Sequence, residues 1–193
     1  MRGQSVIDVA GIWSLCIVGS ISVGAVVLAQ SPAETYAAEA TITTSEGASA
    51  SALLTIVIDR WSTDDDRDTL IEAIRTGGSA AARHLLLARG AVGSIQLGAG
   101  RTVVKYAYPR PTLGGRAITL VTADPIRFAG GAWPDAKPRT GLDLGVVLLD
   151  VDVLGSGQGE MAPAATVRVD TQNAVVRDDY GAEVVRLSKI SRK

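Results

Sequence analysis

Residues 53–78 (LLTIVIDRWSTDDDRDTLIEAIRTGG) constrain the fold more than any other part of the chain, because strand chemistry gives way to helix chemistry within a few positions. Residues 53–60 are rich in leucine and β-branched side chains and carry apolar groups on both faces, the pattern of a strand packed on two sides. Leu54, Ile56 and Ile58 share one face; Leu53, Thr55, Val57, Asp59 and Trp61 share the other. Ser62 and Thr63 then offer oxygens to the free N–H groups of a helix start, and Asp64, Asp65 and Asp66 suit the positive end of its dipole. Leu70, Ile71 and Ile74 form an apolar stripe at helical spacing, and Gly77-Gly78 closes the helix.

Ser79 caps a second helix running to Arg89, with Ala80, Ala81 and Ala82 favouring helix and Leu85, Leu86 and Leu87 supplying its apolar face. Strands are predicted at 93–97, 102–108, 116–122, 142–154, 165–170, 174–177 and 183–190, with glycine or proline between them. Segments 102–108 and 116–122 pair as a hairpin whose turn is long, since Pro109 and Pro111 stop the strand. Residues 123–141, which include Phe128 and Trp133, read as an irregular connection of a length that is usually functional or disordered. The expected fold is a single α+β domain over residues 49–190. In it, two short adjacent helices pack on a largely antiparallel sheet or a sandwich-like sheet pair, followed by a tail at 191–193.

Ahead of this domain, residues 9–29 contain no charge. Arg2 before the run and Val27-Leu28-Ala29 at its end fit a cleaved signal peptide. The length also meets the roughly 20 residues needed by one membrane-spanning helix. Either reading exports the remainder to the periplasm or the extracellular space, with membrane contact only through residues 9–29 if the run is uncleaved. Residues 30–48 are mostly Ala, Ser, Thr and Glu, with Tyr36 and Ile42 as the large apolar exceptions, and read as a flexible spacer in which Thr41 to Thr44 can add to an edge strand. The lone Cys16 lies inside the apolar run, so the exported part has no thiol for a disulfide or a soft metal site.

A net charge of −1 gives no global attraction to nucleic acid, and no nucleic-acid partner is expected. Asp150, Asp152, Gly155 and Glu160 suggest a calcium loop. However, counting from Asp150 the fifth position is Leu154 and the twelfth is Met161, so ligand oxygens are missing and no metal is assigned. Gly155, Gly157 and Gly159 lack the following helix that a phosphate site requires. His84 sits on a predicted helix, and no Gly-x-Ser-x-Gly nucleophile accompanies it. No catalytic residue and no cofactor follow. The best ligand-binding candidates are Asp59, Arg60, Trp61 and Arg67, with Trp133 from the long connection. Arg67 is placed to pair with Asp59, Asp64 or a ligand carboxylate, and Trp61 to stack on an arginine or a ligand ring. The alternative is a structural clamp between strand and helix.

The succession Asp59-Arg60-Trp61-Ser62, Arg67, Leu70, Tyr106, Gly114-Gly115-Arg116, Ile118, Leu120, Thr122, Pro125-Ile126 and Phe128 resembles a family of uncharacterised exported bacterial proteins. The chain departs from that family's Asp-Arg before Pro-Ile, having Ala123-Asp124 instead, and the resemblance implies no activity. The functional expectation is a non-enzymatic exported domain, either structural in the envelope or binding an envelope protein or small ligand. The alternative is a carboxylate-based hydrolase drawing on Asp59, Asp150 or Asp152.

Overall fold

Alternation of inward and outward side chains over nine segments sets the architecture in the computed structural model, which describes residues 34–43, 49–126, 141–180 and 185–193. In chain order the elements are β1 (Glu34–Thr43), β2 (Ser49–Ile58), α1 (Asp64–Ala88), β3 (Gly93–Leu97), β4 (Gly100–Thr112), β5 (Gly115–Thr122), β6 (Leu144–Asp152), β7 (Gly157–Val169), β8 (Val175–Tyr180) and β9 (Val185–Arg192). The strand order is β6-β5-β4-β3-β2-β1-β9-β7-β8, and β6 also pairs with β7. Eight strands therefore close into an antiparallel barrel, with β8 attached outside the ring. β7 makes this possible: one edge pairs with β6, while the other pairs first with β9 and then with β8.

This overturns the α+β expectation of a sheet with two helices. The described residues are mostly strand, closed into a barrel, and include one helical element. Closure depends on β1–β9 and β6–β7 pairings, one of them between distant parts of the chain, which no local pattern encodes. The spacer reading of residues 30–48 also fails where the structure describes them. β1 is a ring strand whose Tyr36, Ala38, Ala40 and Ile42 are buried inside. Alternation rather than total hydrophobicity orders it, because alanines suffice where an eight-stranded interior is filled by side chains. Ile56, Leu97, Leu120, Leu149 and Met161 complete that filling from the other strands. An apolar interior with Thr35, Glu39 and Thr41 outward is the reverse of the pattern in a membrane-spanning barrel.

Helix α1 starts as its sequence dictates. Thr63 accepts from the Asp66 N–H at 3.1 Å while Asp66 accepts from the Thr63 N–H at 3.0 Å, a reciprocal cap. The break expected at Gly77-Gly78 is a kink within one element, carried by the left-handed φ of 63° at Gly78. Leu70, Ile71, Ile74, Ala82 and Leu86 are buried against outward side chains of the barrel wall, Tyr106, Val121, Val146, Ala162 and Val167 among them. Each large side chain so buried contributes roughly 1.5–3 kcal/mol.

Pro109 and Pro111 lie inside β4 rather than in a long turn, which shortens to Leu113-Gly114. Beyond Val104 the edge of β4 away from β5 has no strand beside it, and Ser62 takes its place. The Ser62 N–H donates to the Ala107 carbonyl at 2.7 Å, and its hydroxyl accepts from the Ala107 N–H at 3.1 Å. Pro109 and Pro111 share the parity of Ala107, so the N–H they lack would have pointed to that strand-free edge. Gly157 and Gly159 are likewise strand residues. A Cβ at Gly157 would meet the Asp150 carbonyl at 2.0 Å, so close backbone approach, not a ligand, demands glycine there.

Candidate functional site

Strand register assembles the site on the outer wall. Tyr108, Thr119, Leu148, Glu160 and Arg186 are successive partners across β4, β5, β6, β7 and β9. One step along, Arg110, Ala117, Asp150 and Gln158 form a parallel row. Over these two rows the β7–β8 hairpin folds back as a flap. Its turn is organised by Asp170, which accepts from the Gln172 and Ala174 N–H groups at 2.8 Å each, and by Asn173 at φ 56°. Arg110 donates to Gln172 and Arg75 donates to Asn173 at 2.7 Å, pinning the tip, while Arg177 pairs with Glu160 beneath it. Ser79 fixes the root by accepting from the Val167 N–H at 2.8 Å. Between flap and wall lies a groove of about 1040 Å³ lined by Tyr108, Arg110, Leu148, Asp150, Val175 and Arg186, among others.

Most of its charged groups are already engaged. Arg67 pairs with Asp68 at 2.8 Å, donates to the Tyr108 hydroxyl at 2.8 Å and lies 5.3 Å over the Tyr108 ring. The Tyr108 hydroxyl donates to Asp64 at 2.6 Å, and that bond, with burial, raises its pKa. Tyr106 stacks beside it with centroids 6.1 Å apart, and burial under α1 raises its hydroxyl further. Among the described residues, the Asp150 carboxylate and the Arg186 guanidinium have no side-chain partner, and they stand on opposite sides of the groove. Beside Arg110, whose bond is to the neutral Gln172, the groove thus presents two unbonded charges of opposite sign over a floor of Ala117, Thr119 and Leu148.

A second polar cluster sits at the barrel end where β2, β4, β6 and β9 finish. Arg116 reaches both oxygens of Glu34 and the Tyr36 hydroxyl, and lies 5.4 Å over the Trp61 ring. Tyr36 in turn donates to Glu34 at 2.7 Å. Burial would raise the Glu34 carboxyl, but the Arg116 and Tyr36 bonds outweigh it and hold it below its ordinary value. Burial and the Glu34 bond push the Tyr36 hydroxyl up to about 12.

The sequence-predicted candidates are therefore divided. Asp59 and Arg60 are exposed where the chain leaves β2, and Trp61 is packed against the barrel core with Arg116 as its stacking partner. Arg67 alone lines the groove, and Trp133 lies outside the described residues. Asp59 does not converge with the other two carboxylates, because β2 and β6 stand diametrically opposite in the eight-stranded ring. Asp152 is spent on its own turn, accepting from the Leu154 and Ser156 N–H groups at 2.8 and 2.9 Å. Reading residue by residue missed Tyr108, Arg110, Arg116 and Arg186. The one legible signal was Tyr106 and Tyr108 two apart, hence on one face of a strand. Among the described residues no helix is long and apolar enough to cross a membrane, and no group of three or more His, Cys, Asp or Glu side chains is placed to hold a metal ion. In comparisons with protein-family models, curated proteins and solved structures, no family model, curated protein or solved structure matches this chain.

Proposed function

We propose that this protein is a non-enzymatic binding module, exported by its apolar leader, that holds a small zwitterionic ligand with peptide-like chemistry in the groove beneath the β7–β8 flap. The observation that carries the reading is the pair of uncommitted opposite charges, Asp150 and Arg186, in a groove where Arg67 and Glu160 are ion-paired and Arg110 is held by the neutral Gln172. Neighbouring strands are about 4.8 Å apart, and β6 and β9 flank β7, so the two charges suit a positive and a negative group separated by roughly 10 Å or slightly more. The apolar strip of Ala117, Leu148 and Val175 suits the aliphatic parts between them.

The test is thermal melting of the protein with a panel of tri- and tetrapeptides, their end-blocked forms and neutral oligosaccharides, since a ligand that binds only the native form raises the melting temperature. Free peptides are expected to raise it, end-blocked forms to lose the effect, and Asp150→Asn to abolish it. A response confined to oligosaccharides, or none from any peptide, refutes the proposal.

A further inference from the structure

Of the large apolar side chains exposed among the described residues, Leu53, Leu87 and Val103 sit apart on β2, α1 and β4. The other three cluster. Leu113 is 112% exposed at the β4–β5 turn, and Val153 and Leu154 are 78% and 76% exposed at the β6–β7 turn. β5 pairs with β6 from Gly115↔Asp152 onward, so the two turns are neighbours on one rim. Each turn is well built without these side chains: Asp152 secures one, and Thr112↔Gly115 pairing closes the other. Folding gives no reason for leucine or valine at either tip, where polar residues are the ordinary choice.

The same rim is where the chain enters the barrel. Glu34 pairs with Ile58 and Tyr36 with Arg192, which puts the start of β1 beside the ends of β2 and β9. Only residues 30–33 separate Glu34 from Ala29, where the strongly apolar part of the leader ends. Even fully extended, the five steps from Ala29 to Glu34 span about 17 Å, at roughly 3.3–3.6 Å per step. If the run 9–29 stays in a bilayer, the rim with the three apolar tips is held at that bilayer's surface. Arg60, Arg192 and Lys193 are exposed at this end and suit anionic headgroups; Asp59 and Asp152 are there too, the latter occupied by its turn.

We propose that the apolar run is retained and that the barrel stands on the lipid bilayer by this rim, with Leu113, Val153 and Leu154 dipping into the headgroup region. Membrane contact thereby extends beyond residues 9–29, and the groove on the wall is presented at a fixed height above the lipid.

The experiment uses the full chain reconstituted into vesicles of phosphatidylcholine and phosphatidylglycerol. In a Cys16→Ser background, a fluorophore is attached at Leu113→Cys, Leu154→Cys or Ala99→Cys, the last lying in the β3–β4 turn at the opposite end of the barrel. All three positions are exposed, and an unchanged melting curve verifies each fold. Lipids carrying a headgroup-level quencher are expected to remove emission at 113 and 154 and leave 99 unaffected. Equal quenching at both ends, quenching at neither, or quenching at the tips only after an envelope protein is added overturns the proposal. As an independent reading, hydrogen exchange at the Val153–Ser156 backbone of the unlabelled chain is expected to slow in vesicles relative to detergent, and no slowing would overturn it too.

Discussion

The barrel rim and the outer groove both bring arginine and tyrosine against carboxylates, but they differ in what is left over. At the rim Arg116, Glu34, Tyr36 and Trp61 satisfy one another, and the ion-pair side chains are only 24% and 15% exposed. In the groove Arg67, Tyr108 and Glu160 are satisfied while Asp150 and Arg186 are not. The first arrangement holds the barrel's end together, and the second holds a surface ready for something else. Position in the register explains the contrast. Glu34, Tyr36 and Arg116 share the inward parity of their strands, whereas Asp150 and Arg186 share the outward one.

The largest loss of stability is expected at the rim. Arg116→Ala leaves Glu34 mostly buried without its cation and is expected to cost about 3 kcal/mol in chemical denaturation, the low end for a buried pair. A loss below about 1 kcal/mol would place the pair among ordinary surface bridges. Next is Ser62→Ala, which strands the buried Ala107 N–H and should cost about 2 kcal/mol by the same measurement, whereas Ser62→Thr should retain most of that stability.

Acid sharpens the contrast further. Because the Glu34 pKa is lower in the folded than in the unfolded chain, the stability it contributes is present above its ordinary value of 4.5 and is lost as pH falls below that value through the folded one. Melting temperature followed over that acid range should fall less steeply in Glu34→Gln than in the parent. Parallel curves would remove Glu34 from the linkage. The smallest effect on stability belongs to the groove. Arg186→Ala is expected to change stability by under about 0.5 kcal/mol while eliminating the peptide-dependent rise in melting temperature, which calorimetric titration would confirm as lost binding.

Reading the chain residue by residue located most elements, because their signals are local. Gly93–Leu97 is the predicted strand without change, and the Thr63 to Asp66 start of α1 needs only hydrogen bonds within one turn. Closure was illegible for a different reason. β1 is built of alanine and threonine around Tyr36 and Ile42, too little hydrophobicity to announce itself, and its order comes from strands β2 and β9 on either side. The prolines misled because their meaning depends on which edge of β4 lacks a partner, a fact fixed by where β3 ends. The groove was hidden for the same reason as the barrel. Arg110, Ala117, Asp150 and Gln158 come from four strands, and only register lines them up.

The pairing of β1 with β9 has a temporal consequence. A chain emerging from its N-terminal side can zip β1 to β2 early, but β1's other edge must wait until Val185–Arg192 appears. Until then β1 and the Gly157–Met161 part of β7 each present unfilled backbone donors and acceptors, an invitation to pair with a neighbouring copy. Synthesis stalled or clipped ahead of that last segment should therefore yield aggregates rather than a loosened monomer, so the final eight-residue strand acts as the latch on the whole assembly.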